Sequence, residues 1–116
     1  MNISIDEIID NCIINGSDYD ICIVIHKLLK NNFRYIGKNK WEYLDDNNVW
    51  VCDINQLNLK NTIKTTICRK FIERAILWVD NDMMSTKLLL IGSKLKENKY
   101  ICIIIKECKQ FFIIWT

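Results

Sequence analysis

Three sets of side chains in this 116-residue chain are of types that perform chemistry: six cysteines, one histidine and one adjacent pair of aspartates. Structural zinc needs ligands paired two to four residues apart. The cysteines stand at 12, 22, 52, 68, 102 and 108, with no Cys-x-x-Cys pair. They read as reduced thiols acting as small core residues, with no metal and no cofactor implied. His26 is the only imidazole. Catalysis by it would need a nucleophile or carboxylate brought to it by the fold, and its apolar-rich segment marks it as an ordinary half-exposed residue. Asp45-Asp46 has the composition of a turn facing water rather than of an acid–base pair. The only glycines are Gly16, Gly37 and Gly92, so no phosphate loop of the Gly-x-x-x-x-Gly-Lys-Ser/Thr type exists. The chain is read as non-enzymatic.

What remains is binding chemistry. Lys60, Lys64, Arg69, Lys70 and Arg74 fall on one long segment, and Lys38 and Lys40 belong to the first hairpin turn before it. Such residues neutralise phosphates without reading base sequence, although a solvated helix face has the same composition. Trp41, Tyr43 and Trp50 lie in two short segments joined by a polar turn. An exposed aromatic strand face stacks unpaired bases, at about 1–3 kcal/mol per base. The same rings can instead cap a helical core, and the apolar helix faces of this chain favour that role. At the carboxy-terminal end, Phe111, Phe112, Ile113, Ile114 and Trp115 are apolar on every side of a helix. Burying the surplus against a symmetric copy predicts a homodimer.

These residues need elements to hold them. Ser4 and Glu7 have capping-box spacing before Ile5, Ile8 and Ile9, and Gly16 suits a helix stop. Asp18 is positioned to cap a second amphipathic helix over 18–32. The period then changes to alternation, predicting a three-stranded antiparallel meander at 34–37, 41–44 and 49–53, with turns at Gly37-Lys38-Asn39 and Asp45–Asn48. Asp53 or Asn55 leads into a long helix over 59–79. Its inner stripe is Ile63, Ile67, Phe71, Ala75 and Val79, broadened by Cys68, Ile72 and Ile76. A further helix is expected over 84–95. Residues 99–115 suit a helix or a β-hairpin equally. The predicted fold is α+β, one mostly helical domain over 1–116 with a small meander between helices. It is faintly winged-helix-like, except that the meander precedes the basic helix.

Composition agrees with a globular chain: half the residues are hydrophobic, and there is no proline to interrupt helices. The net charge of +2 is too small to identify a nucleic-acid binder. Its distribution is uneven. The first 20 residues carry five acidic and no basic side chains, whereas the remaining 96 carry 16 basic and nine acidic ones. That predicts either an acidic and a basic surface or an acidic helix complementing its own dipole. The early apolar run is broken by Asp6, Glu7 and Asp10, and no run approaches the roughly 20 residues of a membrane span. The expectation is a soluble intracellular protein without membrane partners.

The segment from Asp18 to Trp50, with Asp18, Asp20, Phe33, Trp41, Tyr43 and Trp50 at matching positions, resembles the non-catalytic module that precedes the ATPase in superfamily III primase-helicases of poxvirus and giant-virus type. The similarity continues weakly through 87–112, so it covers 18–112. It implies a helix for the last segment. It also implies a stand-alone, truncated relative that contacts nucleic acid or organises partners in viral or mobile-element DNA replication, in the host cytoplasm (viral factory) or the virion. The expected partner is DNA, bound weakly and without sequence preference. The alternative is a protein-interaction module that self-associates or docks on a primase-helicase. Helicase, ATPase and primase activities do not carry over, because their motifs are absent.

Overall fold

The computed structural model describes residues 4–113. It is an α+β domain whose elements run α1 (Ile5–Asn15), α2 (Asp18–Leu29), β1 (Phe33–Gly37), β2 (Lys40–Leu44), β3 (Trp50–Cys52), a 3-10 turn (Ile54–Gln56), α3 (Leu57–Thr62), a π-helical turn (Ile63–Ile67), α4 (Cys68–Leu77), α5 (Asp82–Lys94) and α6 (Asn98–Phe112). The meander is antiparallel in the order β1-β2-β3. The α+β architecture expected from the sequence is observed.

Local chemistry explains most boundaries. The Ser4 hydroxyl accepts the Glu7 N–H at 3.2 Å, and Gly16 ends α1 at φ +62°. Asp18 does not cap α2. Ser17 does, accepting from the Asp20 N–H, while the Asp18 carboxylate accepts the Tyr100 hydroxyl at 2.6 Å. The helix stops at Leu29, short of the expected 32, because residues 30–32 form the turn into β1. Lys38 and Asn39 both have positive φ, as the two centre positions of a type I′ hairpin require. The Asp45 carboxylate accepts the N–H groups of Asn47 and Val49 at 2.8 and 2.9 Å, so this aspartate shapes a turn. Asp53, almost fully buried, accepts the backbone N–H groups of Asn58 and Leu59 at 2.8 and 2.9 Å and starts α3.

The long helix predicted over 59–79 is present but not uniform. Leu59, Ile63, Ile67, Phe71 and Ala75 are all buried, and each follows the last by four residues. On a regular helix of 3.6 residues per turn, steps of four rotate a side chain by about 40° each, so five such residues spread around the cylinder. The π-helical turn, with its wider i→i+5 winding, absorbs that drift and keeps all five inward. Two residues assigned to the inner stripe are not on it. Ile76 and Val79 are exposed, because Ile76 falls off the four-residue series and Val79 lies beyond the helix end at Leu77.

The last segment is a helix, not a hairpin. Its face of Ile101, Ile104, Ile105, Cys108 and Phe112 joins Ile21, Cys22, Val24 and Ile25 of α2 in the core. Ile113 then forms a parallel bridge with Tyr35 of β1. One sheet face covers this core: Phe33, Tyr35 and Trp41 are buried, and Tyr43 packs against it partly buried. No described helix is long and apolar enough to cross a membrane.

Candidate nucleic-acid interface

The strand register separates the three aromatic candidates. Tyr43 pairs with Val51 and Leu44 with Trp50, so Trp50 lies on the sheet face opposite Trp41 and Tyr43. Trp41 is only 2% exposed, its ring 5.4 Å from Tyr35 and 5.3 Å from Phe112, which closes it to stacking. Tyr43 lines a hollow shared with Asp45 and Asp46, whose charges repel a phosphate backbone. Trp50 carries the Arg34 guanidinium 4.2 Å from its ring centre, and Arg34 is itself paired with Glu42 at 2.7 Å. The base-stacking expectation therefore fails for Trp41, and neither other ring offers an uncovered platform beside a cation-rich surface.

The basic residues divide as well. Arg74 belongs to the fold. It makes two hydrogen bonds to Asp10, at 2.9 and 2.8 Å, with Asp6 3.9 Å away, and the Trp78 indole N–H donates to the same Asp10 at 3.1 Å. The hydrogen bond to Asp10 raises the Arg74 pKa further. This staple joins α1 to α4 and removes Arg74 from the phosphate-binding set. Arg69 is exposed and Lys70 half-buried on α4, and Lys64 is half-buried in the π-helical turn.

Lys60 is placed differently. It lines a cleft of about 230 Å³ with Lys106 and Lys109 of α6. Tyr35, Trp41 and Ile105 contribute to the floor, and Asn39 and Gln56 to the rim. The Asn39 N–H donates to the Tyr35 hydroxyl at 3.0 Å, which fixes the Lys38-Asn39-Lys40 turn at this cleft. The Lys109 ammonium stands 5.9 Å from the Tyr35 ring centre. No carboxylate lines the cleft, and among the described residues every ion pair involves Arg34 or Arg74. Lys38 and Lys40 are exposed on the adjoining turn. Three ammonium groups around one concave site, without a counter-charge, favour an anionic ligand.

Sequence reading missed Lys106 and Lys109. The signal was present: once 99–112 is a helix, Cys102, Ile105, Lys106 and Lys109 follow i, i+3, i+4, i+7 spacing on one face. A hairpin, equally compatible with this segment, would not bring the pair to that face.

The other chemical candidates resolve into structure. Cys12, Cys22, Cys68 and Cys108 are buried thiols, as expected, whereas Cys52 and Cys102 are exposed. Burial, reinforced by the Asp20 charge, pushes the Cys12 thiol up to about 12. A hydrogen bond with Cys22, together with burial, raises Cys108 strongly. His26 packs against Phe111 and Phe112, at 5.9 and 5.1 Å between ring centres. The expected dimer surface is altered accordingly. Phe112 is 5% exposed and belongs to the core, Phe111 is half-buried against Tyr19, and Ile113 is bridged to β1. Ile114 and Trp115 lie outside the described residues.

Comparison with protein families, with curated proteins and with solved structures finds no match for the chain.

Proposed function

We propose that this protein is a non-catalytic DNA-binding accessory factor that grips the phosphate backbone without reading its sequence. The observation that carries this reading is the acid-free cleft lined by Lys60, Lys106 and Lys109 beside the Lys38-Asn39-Lys40 turn. The cleft draws on three elements far apart in sequence. Its cations are held on helices and on a pinned hairpin, whereas Arg74, one of the cations expected on the basic helix, is consumed by Asp10. The resemblance of 18–112 to the pre-ATPase module of viral primase-helicases supports a place in viral or mobile-element replication. A protein-interaction role, including docking on a primase-helicase, draws support from a different surface, the exposed apolar side chains of α4 and α5.

Fluorescence anisotropy with a labelled 20-nucleotide DNA, over a salt series, tests the reading. Neutralising three to five phosphates predicts that log K falls against log salt with a slope of about −2 to −4. The Lys60→Glu/Lys106→Glu/Lys109→Glu variant should abolish binding, while Arg69→Glu/Lys70→Glu should weaken it by less than the cleft variant does. Absence of binding at low salt contradicts the proposal. Equal loss in both variants contradicts the assignment to the cleft.

A further inference from the structure

The lysine cleft is built for more than a phosphate group. Its three ammonium groups come from two elements, Lys60 from α3 and Lys106 and Lys109 from α6. The floor between them is apolar, formed by the accessible parts of Tyr35, Trp41 and Ile105. A phosphate gains nothing from such a floor, which offers it no donor. The rim adds the carboxamides of Asn39 and Gln56, each with a donor and an acceptor. At Gln56 the backbone is held in an unusual state. Asn55 and Gln56 both have positive φ, +56° and +55°, which is sterically costly for two successive residues other than glycine. The Gln56 N–H donates to the Asp53 carbonyl at 3.0 Å, and the buried Asp53 carboxylate anchors the start of α3 just after it. Cations beside an apolar hollow rimmed by amides are the complement of an anion that also carries a flat apolar group with polar edges.

Resting on the DNA-binding proposal, we infer that the cleft admits one unpaired nucleotide, so that the protein selects single strands over duplexes. In a duplex each base has its faces in the stack and its pairing edge occupied, leaving phosphates and groove edges to a protein. A single strand can turn one base into the cleft. Its face then lies over the floor, its edge meets the carboxamides, and the flanking phosphates meet Lys60, Lys106 and Lys109. Size agrees with this. A hollow of about 230 Å³ holds a single base rather than several. A duplex, whose major groove alone is about 12 Å wide, cannot enter it. A carboxamide presents a donor or an acceptor by rotating, so the rim accepts any base and binding stays independent of sequence. Lys38 and Lys40, exposed on the adjoining turn, continue the cationic track for neighbouring phosphates. Charge alone predicts the opposite preference, because a duplex has the denser phosphate charge and releases more counterions per contact. A preference for the strand therefore reports the shape and floor of the cleft, not its charge.

Fluorescence anisotropy at low salt tests this on the intact chain with three labelled probes: a 20-nucleotide strand of mixed sequence, its blunt duplex, and a strand of 20 abasic units. The natural strand should bind about tenfold or more tighter than the duplex, and about fivefold or more tighter than the abasic strand. Gln56→Gly removes a rim carboxamide and relieves the positive φ. It should melt no lower than the wild type, yet bind the strand about threefold more weakly with the duplex unchanged. Cys102→Leu adds bulk to the exposed wall of the cleft without changing charge, and should erase the preference for the strand. Thymidine 5′-monophosphate at equal concentration should not displace the strand, because it lacks the neighbouring phosphates. A duplex bound as tightly as the strand overturns the inference and leaves the phosphate grip standing. An abasic strand bound as tightly as the natural one does the same, as does a preference that survives in both variants. Displacement by equimolar thymidine monophosphate overturns it in favour of a free-nucleotide site. Failure of both strand and duplex to bind removes the DNA-binding proposal itself, and the unpaired-nucleotide site with it.

Discussion

Burial pushes the His26 imidazole below its usual range near 6.5, and the ammonium groups of Lys30 and Lys27 push it the same way. The folded state thus resists a proton that the unfolded chain accepts. With fewer protons bound when folded, the stability from a neutral His26 is fully present above pH 6.5. It is lost as pH falls through 6.5 towards the depressed folded value. Chemical denaturation at pH 7.5 and 5.5 should show that loss in the wild type. His26→Leu should show a smaller change across the same interval, and an identical change would refute the assignment. At this scale the sequence was informative about type and weak about partner. A half-exposed histidine was foreseeable from its place on an amphipathic helix. The capture of Arg74 by Asp10 was not, because 64 residues separate them and only the packing of α1 on α4 brings them together. Exposed-looking charge on a helical wheel says nothing of a neighbour contributed by another helix.

Elements were legible wherever the cause was local. The type I′ turn, the Asp45 turn, the Gly16 stop and the Asp53 start each depend on residues within six positions of one another. The π-helical turn is legible in principle, since a repeated four-residue apolar spacing is too long for a regular helix, although over two or three turns the same stripe also suits an ordinary α-helix. The last segment was ambiguous because Ile101–Ile105 is apolar at both periods, and burial on α2 decided for helix. Deleting Thr66, an exposed residue inside the π-helical turn, leaves the apolar series at steps of four, three, four and four, which a continuous α-helix accommodates. That deletion should keep the helical circular dichroism signal and cost less than about 2 kcal/mol. Leu59→Ala, which empties a fully buried site, should cost about 2–5 kcal/mol. An unfolded Thr66 deletion would show that the π-helical turn is required for another reason.

Across the whole molecule, the uneven charge of the sequence takes a form that neither simple reading anticipated. Four of the five acidic residues in the first 20 are occupied within the fold: Asp6 and Asp10 face Arg74, Asp18 holds Tyr100, and Asp20 receives Ser17 and Asn15. Arg74 alone brings a compensating charge, to Asp10 with Asp6 near it, while the donors to Asp18 and Asp20 are neutral side chains. The basic surplus is left uncompensated, and part of it converges where α3, α6 and the β1–β2 turn meet. The domain measures 44 × 34 × 26 Å, with the lysine cleft at the start of the long helical run and the apolar hairpin at its end. The proposed DNA site is the lysine cleft. Its most direct test is amide NMR during titration with a short oligonucleotide at low salt. Shifts should cluster on residues 38–40, 56–60 and 102–109 and fade as salt rises. Shifts centred on Arg69 and Lys70, or no shifts on any of those three segments, would contradict it.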